Sequence, residues 1–310
     1  MRVLITGAGG FFGKALVRAF ARGGEEVVAA DTGAAATFRA RPGSGDGVSY
    51  VQIDVTDPAS LIPERVGRID AIVNAAALTP SLEEMAAEPD RLVSVNLIGA
   101  LNLLEVARLQ NCAKFLFVSS AGVYDQFTET TLHEEDADGG FSLYGSAKLA
   151  AEIMLWRYGR MYEMDVGAIR PTSMYGPEEE FRPTRPFVTA IKQLVDAALS
   201  RTPVRIVGAE DRCDWIYVDD VAETAYRFFA GGMRERVFNL SSDAPTAFDR
   251  VVKAAQESAG LIVDPSSDVV VDGSPDRPTV ISNERARKEI GHAPRSLEEG
   301  IRAYVEEVTG

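Results

Sequence analysis

The sequence predicts a doubly wound α/β fold: a parallel sheet with helices on both faces, followed by a smaller mixed α/β part. Three observations carry this prediction. Short apolar, β-branched runs alternate with longer amphipathic stretches up to Arg170. The first run passes straight into a glycine-rich turn and a helix. After Arg170 the alternation stops, and Pro171, Pro177, Pro183 and Pro186 crowd into sixteen residues.

In chain order, strands are expected at Arg2–Thr6, Glu26–Ala30, Val48–Ile53, Asp70–Ala75, Lys114–Ser119 and Val166–Arg170. Helices are expected at Phe12–Arg22, Pro58–Arg65, Pro89–Gln110 and Tyr144–Met161, long enough for right-handed crossovers. The Gly/Ala/Ser-rich stretch from Gly33 to Gly47 reads as a loop, as does the proline segment with Glu178, Glu179 and Glu180. Beyond it the pattern gives a helix near Pro186–Leu199, strands at Val204–Val207 and Trp215–Val218, and helices at Asp219–Phe229, Ala247–Ala259 and Leu297–Val308. The domain reading is 1–170 for a dinucleotide-binding (Rossmann) part and 171–310 for a substrate part, with the chain crossing back near 204–230.

Composition removes several functions. With 32 Lys and Arg against 46 Asp and Glu the formal charge is −14, so a nucleic-acid backbone would be repelled, and no basic run offsets this. His133 and His292 lie far from any HxH or HxxxH spacing, so no metal site is expected. Cys112 and Cys213 are too distant for a CxxC pair and read as reduced, buried thiols. No export signal is visible after Met1, and no run approaches 18 uncharged apolar residues, so a cytoplasmic protein without a membrane partner is expected.

Two motifs carry chemistry. The first is Gly7-x-x-Gly10-x-x-Gly13 between strand and helix, where glycines allow a tight turn and the helix N-terminus offers free N–H groups to a pyrophosphate. A P-loop is excluded because positions 8 and 15 are alanine. Asp31 ends the next strand, 18 residues past Gly13, where a carboxylate accepts from an adenosine ribose and repels a 2′-phosphate. The cofactor expected is therefore NAD. The second motif is Ser119-Ser120 at the fifth strand's end, followed by Tyr144 and Lys148 at i and i+4 on one helix face. A lysine ammonium beside the phenol is expected to lower its pKa and make Tyr144 a general base, with a serine hydroxyl from the strand end holding the same substrate oxygen.

With these residues in place the sequence resembles the extended short-chain dehydrogenases/reductases, the NAD-dependent epimerase/dehydratase group. The resemblance runs through the glycine loop, Asp54-Val55-Thr56-Asp57, Asn74-Ala75-Ala76-Ala77, Asn96 to Leu104, Ser119 to Tyr124, Tyr144 to Lys148, Arg170 to Pro177 and Asp214 to Val221. It implies NAD contacts from Gly7, Gly10, Phe11, Phe12, Gly13, Asp31, Asp54, Val55, Ala75, Ala76, Ala77, Asn96, Tyr144, Lys148 and Pro171. Asp54 and Val55 would flank the adenine, Asn96 would help fix the strand-end geometry, and Ser120 rather than Ser119, being the one followed by x-x-Val-Tyr, would be the catalytic serine. Asn74 and Asn96 would equally serve as structural caps. Substrate contacts are implied at Thr79, Ala121, Ser173, Arg212 and Arg277. The resemblance also implies a homodimer through a four-helix bundle using Pro89–Gln110 and Tyr144–Met161, although buried helices of a monomer carry the same faces.

The sequence departs from the family in ways that bear on function. Dehydratases of the family place Asp-Glu after the catalytic residue; here stand Ala121 and Gly122. Epimerases have Asn where Ser173 stands and Arg where Cys213 stands, and of an Arg-Pro-Gly-Asp segment only Arg277-Pro278 remains. Arg182, Arg185, Arg212 and Arg277 are the residues left to meet a diphosphate. The leading expectation is accordingly an NAD-dependent oxidoreductase acting on a secondary carbinol of a sugar, sugar acid or related polyol. A nucleotide-sugar epimerase with tightly held NAD is the alternative, and a non-catalytic NAD-binding regulator the third reading.

Overall fold

In the computed structural model the described residues are 1–33, 47–79, 81–125, 127–128, 130–182 and 184–310. Most of the Gly/Ala/Ser-rich stretch, residues 34–46, lies outside them. The central sheet contains β1 (Arg2–Thr6), β2 (Glu26–Asp31), β3 (Val48–Gln52), β4 (Ala71–Asn74) and β5 (Lys114–Val118). After a two-residue strand β6 (Thr131–Leu132) in a separate pair, β7 (Asp165–Pro171) returns to it. Further on come β8 (Ser173–Tyr175), β9 (Arg205–Val207), β10 (Arg212–Cys213), β11 (Trp215–Tyr217) and β12 (Arg236–Leu240). The seven-stranded order is β12-β7-β5-β4-β1-β2-β3, and every pair is parallel. Order reverses at β1, which places a crevice outside the carboxyl ends of β1 and β4.

Successive residues of β1 feed opposite layers, which is why its sequence is apolar without alternation. Val3 and Ile5 pack with helix α1 (Phe11–Arg22), while Leu4 packs in the opposite layer. That layer is filled by Ile72, Phe115 and Phe117 of the sheet and by Leu103 and Leu104 of the long helix described next. Helix α2 (Pro63–Val66) follows a 3-10 turn at Pro58–Leu61, so the single helix expected over Pro58–Arg65 is divided in two. Asp57 caps that turn by accepting from Ala59 N–H, and Ile62 breaks it in extended geometry. Helix α3 (Leu82–Ala87) precedes a longer run from Pro89 to Leu109, made of α4 (Pro89–Val93), a π turn (Ser94–Ile98) and α5 (Gly99–Leu109).

By length and composition that run could cross a membrane, against the expectation that no segment would. Here Leu92, Ala100, Leu103, Leu104 and Ala107 are buried in the protein's own core. Truncating a fully buried leucine such as Leu103 to alanine costs about 2–5 kcal/mol, so this packing is a substantial part of what holds the layer. Helix α6 (Leu143–Tyr162) begins at Ser142, whose hydroxyl accepts from Gly145 N–H, and carries Tyr144 and Lys148 in its first two turns.

The boundary expected at residue 170 is crossed by the returning chain. Helix α7 (Ala190–Leu199) starts only at Ala190, because Thr189 supplies the N-cap. Helix α8 (Val218–Gly231) then packs Val221, Ala225 and Phe228 into the same layer as α1, and β12 pairs with β7 as the seventh strand. The return thus brings α8 and β12 back onto the first part of the chain. A separate core joins α7, α9 (Phe248–Ala259) and the C-terminal helix Leu297–Thr309 through Leu194, Phe248, Val251, Ile301 and Tyr304. Cys112 and Cys213 are both buried, and neither forms a disulfide.

Candidate active site

At the crevice the backbone is compressed. Gly7 has φ +67°, and a Cβ there would lie 2.5 Å from the Ala75 carbonyl oxygen. At Gly13 a Cβ would lie 1.9 Å from the Gly7 carbonyl oxygen, so β1, β4 and α1 meet backbone to backbone. Gly10 caps α1 without any side-chain acceptor, so the first-turn N–H groups of Phe11 and Phe12 remain available to an anion. Asp31 closes β2 beside this turn, where its carboxylate accepts from Gly9 N–H at 2.9 Å and Gly33 N–H at 3.3 Å. A bare helix start, a cradle that any side chain would fill and a carboxylate at the second strand's end fit a dinucleotide.

The strands beyond supply small or fixed walls. Ala75, Ala76 and Ala77 leave β4 half-buried, with Asn74 accepting from Thr6 Oγ1 and Ala76 N–H. Val55 is buried against Gly99, and the exposed Asp54 accepts from Thr56. Asn96 sits in the π turn and spends both halves of its amide on Leu78: Nδ2 donates to the carbonyl at 2.8 Å and Oδ1 accepts the N–H at 3.2 Å. Its work is to hold the loop after β4.

The proline segment, legible in the sequence only as loop, folds over this end. Thr184 carbonyl accepts from Thr79 N–H at 2.9 Å. Arg185 stacks on Phe11 and Phe187 at 5.4 and 5.1 Å, and pairs with the buried Glu179 at 2.6 Å. Glu179 also accepts from Thr189 N–H and Oγ1, while Glu178 pairs with Arg18 of α1.

The chemical end lies at the exit of β5. Ser120 caps the 3-10 turn Ala121–Val123 by accepting from Gly122 N–H at 3.0 Å. A Cβ on Gly122 would sit 3.3 Å from both Ser120 Oγ and the Tyr144 ring, so both side chains border the same small space. Lys148 is 1 % exposed, donates to the Val118 carbonyl at 2.9 Å and lies 5.9 Å from the Tyr144 ring centre. Burial pushes the Tyr144 phenol up, against a hydrogen bond from Ser120 and the charge of Arg185. Burial also pushes Lys148 down to about 7, opposed by Glu152. This corrects the expectation that Lys148 would lower the Tyr144 pKa. Burial of the phenol is the larger effect, and the charge that opposes it is that of Arg185.

The residues expected to meet substrate gather beyond β7. Pro171 ends β7 opposite Leu240, Ala121 is buried, and the Ser173 hydroxyl accepts from Cys213 Sγ at 3.0 Å. Burial pushes the Cys213 thiol up to about 11, so it is a neutral filler. Three of the four available arginines are already paired: Arg182 with Glu180, Arg185 with Glu179 and Arg212 with Asp276. Arg277 is partly buried near Cys213 and has no ion pair among the described residues. Not foreseen from the sequence is Asp214, buried between Thr172 and Ser242, which donate to its Oδ1 at 2.8 and 2.9 Å. Burial pushes its carboxyl up. The Asp-Trp-Ile-Tyr stretch held that signal, but the partners come from two other segments.

The sequence model of the NAD dependent epimerase/dehydratase family matches residues 3–241. The chain belongs to that family. The family's cofactor is NAD, which agrees with the cradle and with Asp31. A UDP-glucose 4-epimerase of Mycolicibacterium smegmatis is 29% identical over 321 aligned residues, covering 99% of this chain and 98% of the relative. A dTDP-glucose 4,6-dehydratase of the same organism is 26% identical over 86% of each chain. Among solved structures, the UDP-glucose 4-epimerase of Thermus thermophilus in complex with NAD superposes with a TM-score of 0.82 at 26% identity, covering 100% of this chain and 99% of that one. The family members it resembles are NAD-dependent enzymes, and so is this chain.

Proposed function

We propose that this chain is an NAD-dependent nucleotide-sugar epimerase in which Tyr144 is the proton-transferring group. One observation carries the reading: Ser120 and Tyr144 converge beside Gly122, with Lys148 one turn behind, while the positions that hold an acid and a base in dehydratases are Ala121 and Gly122. The site can therefore move a proton at one carbinol oxygen but has no second acid–base pair for eliminating water. Similarity along the whole chain to UDP-glucose 4-epimerases adds support.

NAD, when bound, supplies reversible hydride acceptance from a carbon. The protein's own part is local. Tyr144, as phenolate, takes the proton of the carbinol O–H and later returns it to the same oxygen. The Ser120 hydroxyl hydrogen-bonds that oxygen and fixes its distance from the phenol. Lys148 in its ammonium form, together with the charge of Arg185, offsets the negative charge on the phenolate against the burial that disfavours it. The missing side chain at Gly122 leaves room for the sugar against both. The segment from Glu178 to Thr189, tied to Arg18, Thr79 and Phe11, covers the glycine turn and suits a cofactor retained between turnovers.

Net oxidation of a free sugar or sugar acid is the second reading. It is favoured by the Ser173–Cys213 contact and by the pairing of Arg182, Arg185 and Arg212, which leave Arg277 alone to meet a diphosphate. Incubating NAD-loaded protein with UDP-glucose and dTDP-glucose and following products by NMR separates the two. Appearance of the 4-epimer without net NADH supports epimerisation. Silence with both nucleotide sugars, together with NADH formed from a free sugar, selects the second reading.

A further inference from the structure

One turn beyond Lys148 on the same helix face stands Glu152, 1 % exposed. Both its carboxylate oxygens are taken by Arg170 of β7, whose Nε and Nη2 donate at 2.9 and 2.6 Å. The remaining guanidinium nitrogen, Nη1, donates to the Tyr124 hydroxyl at 2.6 Å and to the Glu134 carbonyl at 2.7 Å. Tyr124 in turn donates to Asn239 Oδ1 at 2.8 Å. A buried bidentate pair satisfied at every end has one geometry. Its negative end lies on the helix that carries Lys148, and its positive end lies beyond, on the sheet.

The surroundings of Lys148 hold little else of opposite charge. From α6 it meets Tyr144, with the charge of Glu152 one turn on; from β5 it meets the Phe117 ring at 4.9 Å and the Val118 carbonyl; Ser119 and Ser120 follow on that strand's exit. Arg170 of β7 lies behind Glu152, and Arg185 of the covering segment acts on Tyr144 with a positive charge. Among the described residues, Glu152 is the carboxylate that acts on this ammonium. We propose, resting on the reading of Tyr144 and Lys148 above, that Glu152 is a positioning residue: held by Arg170, it supplies negative potential at the buried Lys148 and favours its ammonium form against burial.

A role confined to stability would leave the proton affinity of Lys148 untouched, so that is the quantity to read. The chain has only six lysines, and 13Cε-lysine NMR on the full-length, NAD-loaded protein resolves them, with Lys148→Arg identifying the Lys148 signal. Glu152→Gln is expected to lower the Lys148 titration midpoint by about one unit, which is about tenfold less ammonium at pH 8. In turnover, the high-pH limb falls at correspondingly lower pH. Because Glu152→Gln strands Arg170, the double variant Glu152→Gln/Arg170→Gln removes both charges, and the same direction of change is expected there. An unchanged midpoint in folded Glu152→Gln or in the double variant overturns the proposal. The NMR reading needs no substrate, so absence of turnover in the unaltered protein counts against the proposed function and leaves this result standing.

Discussion

The glycine-turn end and the substrate end share one edge of the sheet, yet they are built by opposite means. At the glycine turn, backbone touches backbone: a Cβ at Gly7 or Gly13 would strike a carbonyl within 2.5 Å. At the substrate end, side chains from distant segments meet: Cys213 with Ser173, Thr172 with Asp214, Arg212 with Asp276 and Thr279 with Thr128. A backbone contact allows one residue type and leaves its mark as a local spacing. A side-chain network accepts many solutions and leaves no spacing at all. Tyr144 and Lys148 stand between these regimes, since their spacing is local while their environment is tertiary.

The largest expected effect tests the group between the two ends. Tyr144→Phe removes the proton-transferring oxygen and should reduce kcat by about 10²–10⁴, while NAD still raises the melting temperature as in the unaltered protein. Activity within threefold of the original would break the account of the chemical end.

Next comes the backbone end. Gly13→Ala forces a methyl against the Gly7 carbonyl and should cost about 1–3 kcal/mol in urea denaturation, with the thermal shift on adding NAD largely lost. An undiminished NAD shift would show that the turn has slack.

His292 sharpens the contrast from the far side. It is buried between the Thr224 hydroxyl and the Ser241 carbonyl, and burial pushes it down to about 4. In the unfolded chain it titrates near 6.5, so between pH 6.5 and 4 the unfolded state binds a proton that the folded state refuses. Stability is therefore full above 6.5 and is lost as pH falls towards 4. His292→Gln should remove about 2 kcal/mol of the stability difference between pH 7 and pH 5, read by urea denaturation of both proteins. Identical pH dependence in the two would mean that His292 does not set it.

The smallest effect belongs to the substrate end. Arg277→Ala should weaken nucleoside-diphosphate binding about tenfold, read by calorimetry on NAD-saturated protein, and leave NAD affinity unchanged. Equal affinity in the variant would remove Arg277 from the diphosphate's partners.

What was legible in the sequence follows the same division. The six strands from Arg2 to Arg170 and the helices around Phe12 and Tyr144 appear within a residue or two of their expected bounds, because burial on both faces of a parallel sheet dictates unbroken apolar runs. Arg236–Leu240 does not announce itself as a strand: its Arg and Asn interrupt the apolar run, and its place beside β7 depends on α8 having packed against α1. The proline segment read as loop because its order comes from Glu179, Arg185 and Thr189 meeting one another, a contact that no periodicity announces. The direction of the Tyr144 pKa was misjudged for a related reason. Spacing places Lys148 beside it, but only the fold sets how far each is taken from water, Lys148 fully and Tyr144 in part.

The most direct test of the central claim is to run the proposed epimerisation in D2O and examine the inverted carbon. Oxidation and reduction at one carbinol, with Tyr144 moving only the oxygen-bound proton, predicts an epimeric product that carries no deuterium on that carbon. Deuterium at the carbon, or no epimer from any nucleotide sugar offered to NAD-loaded protein, would contradict it.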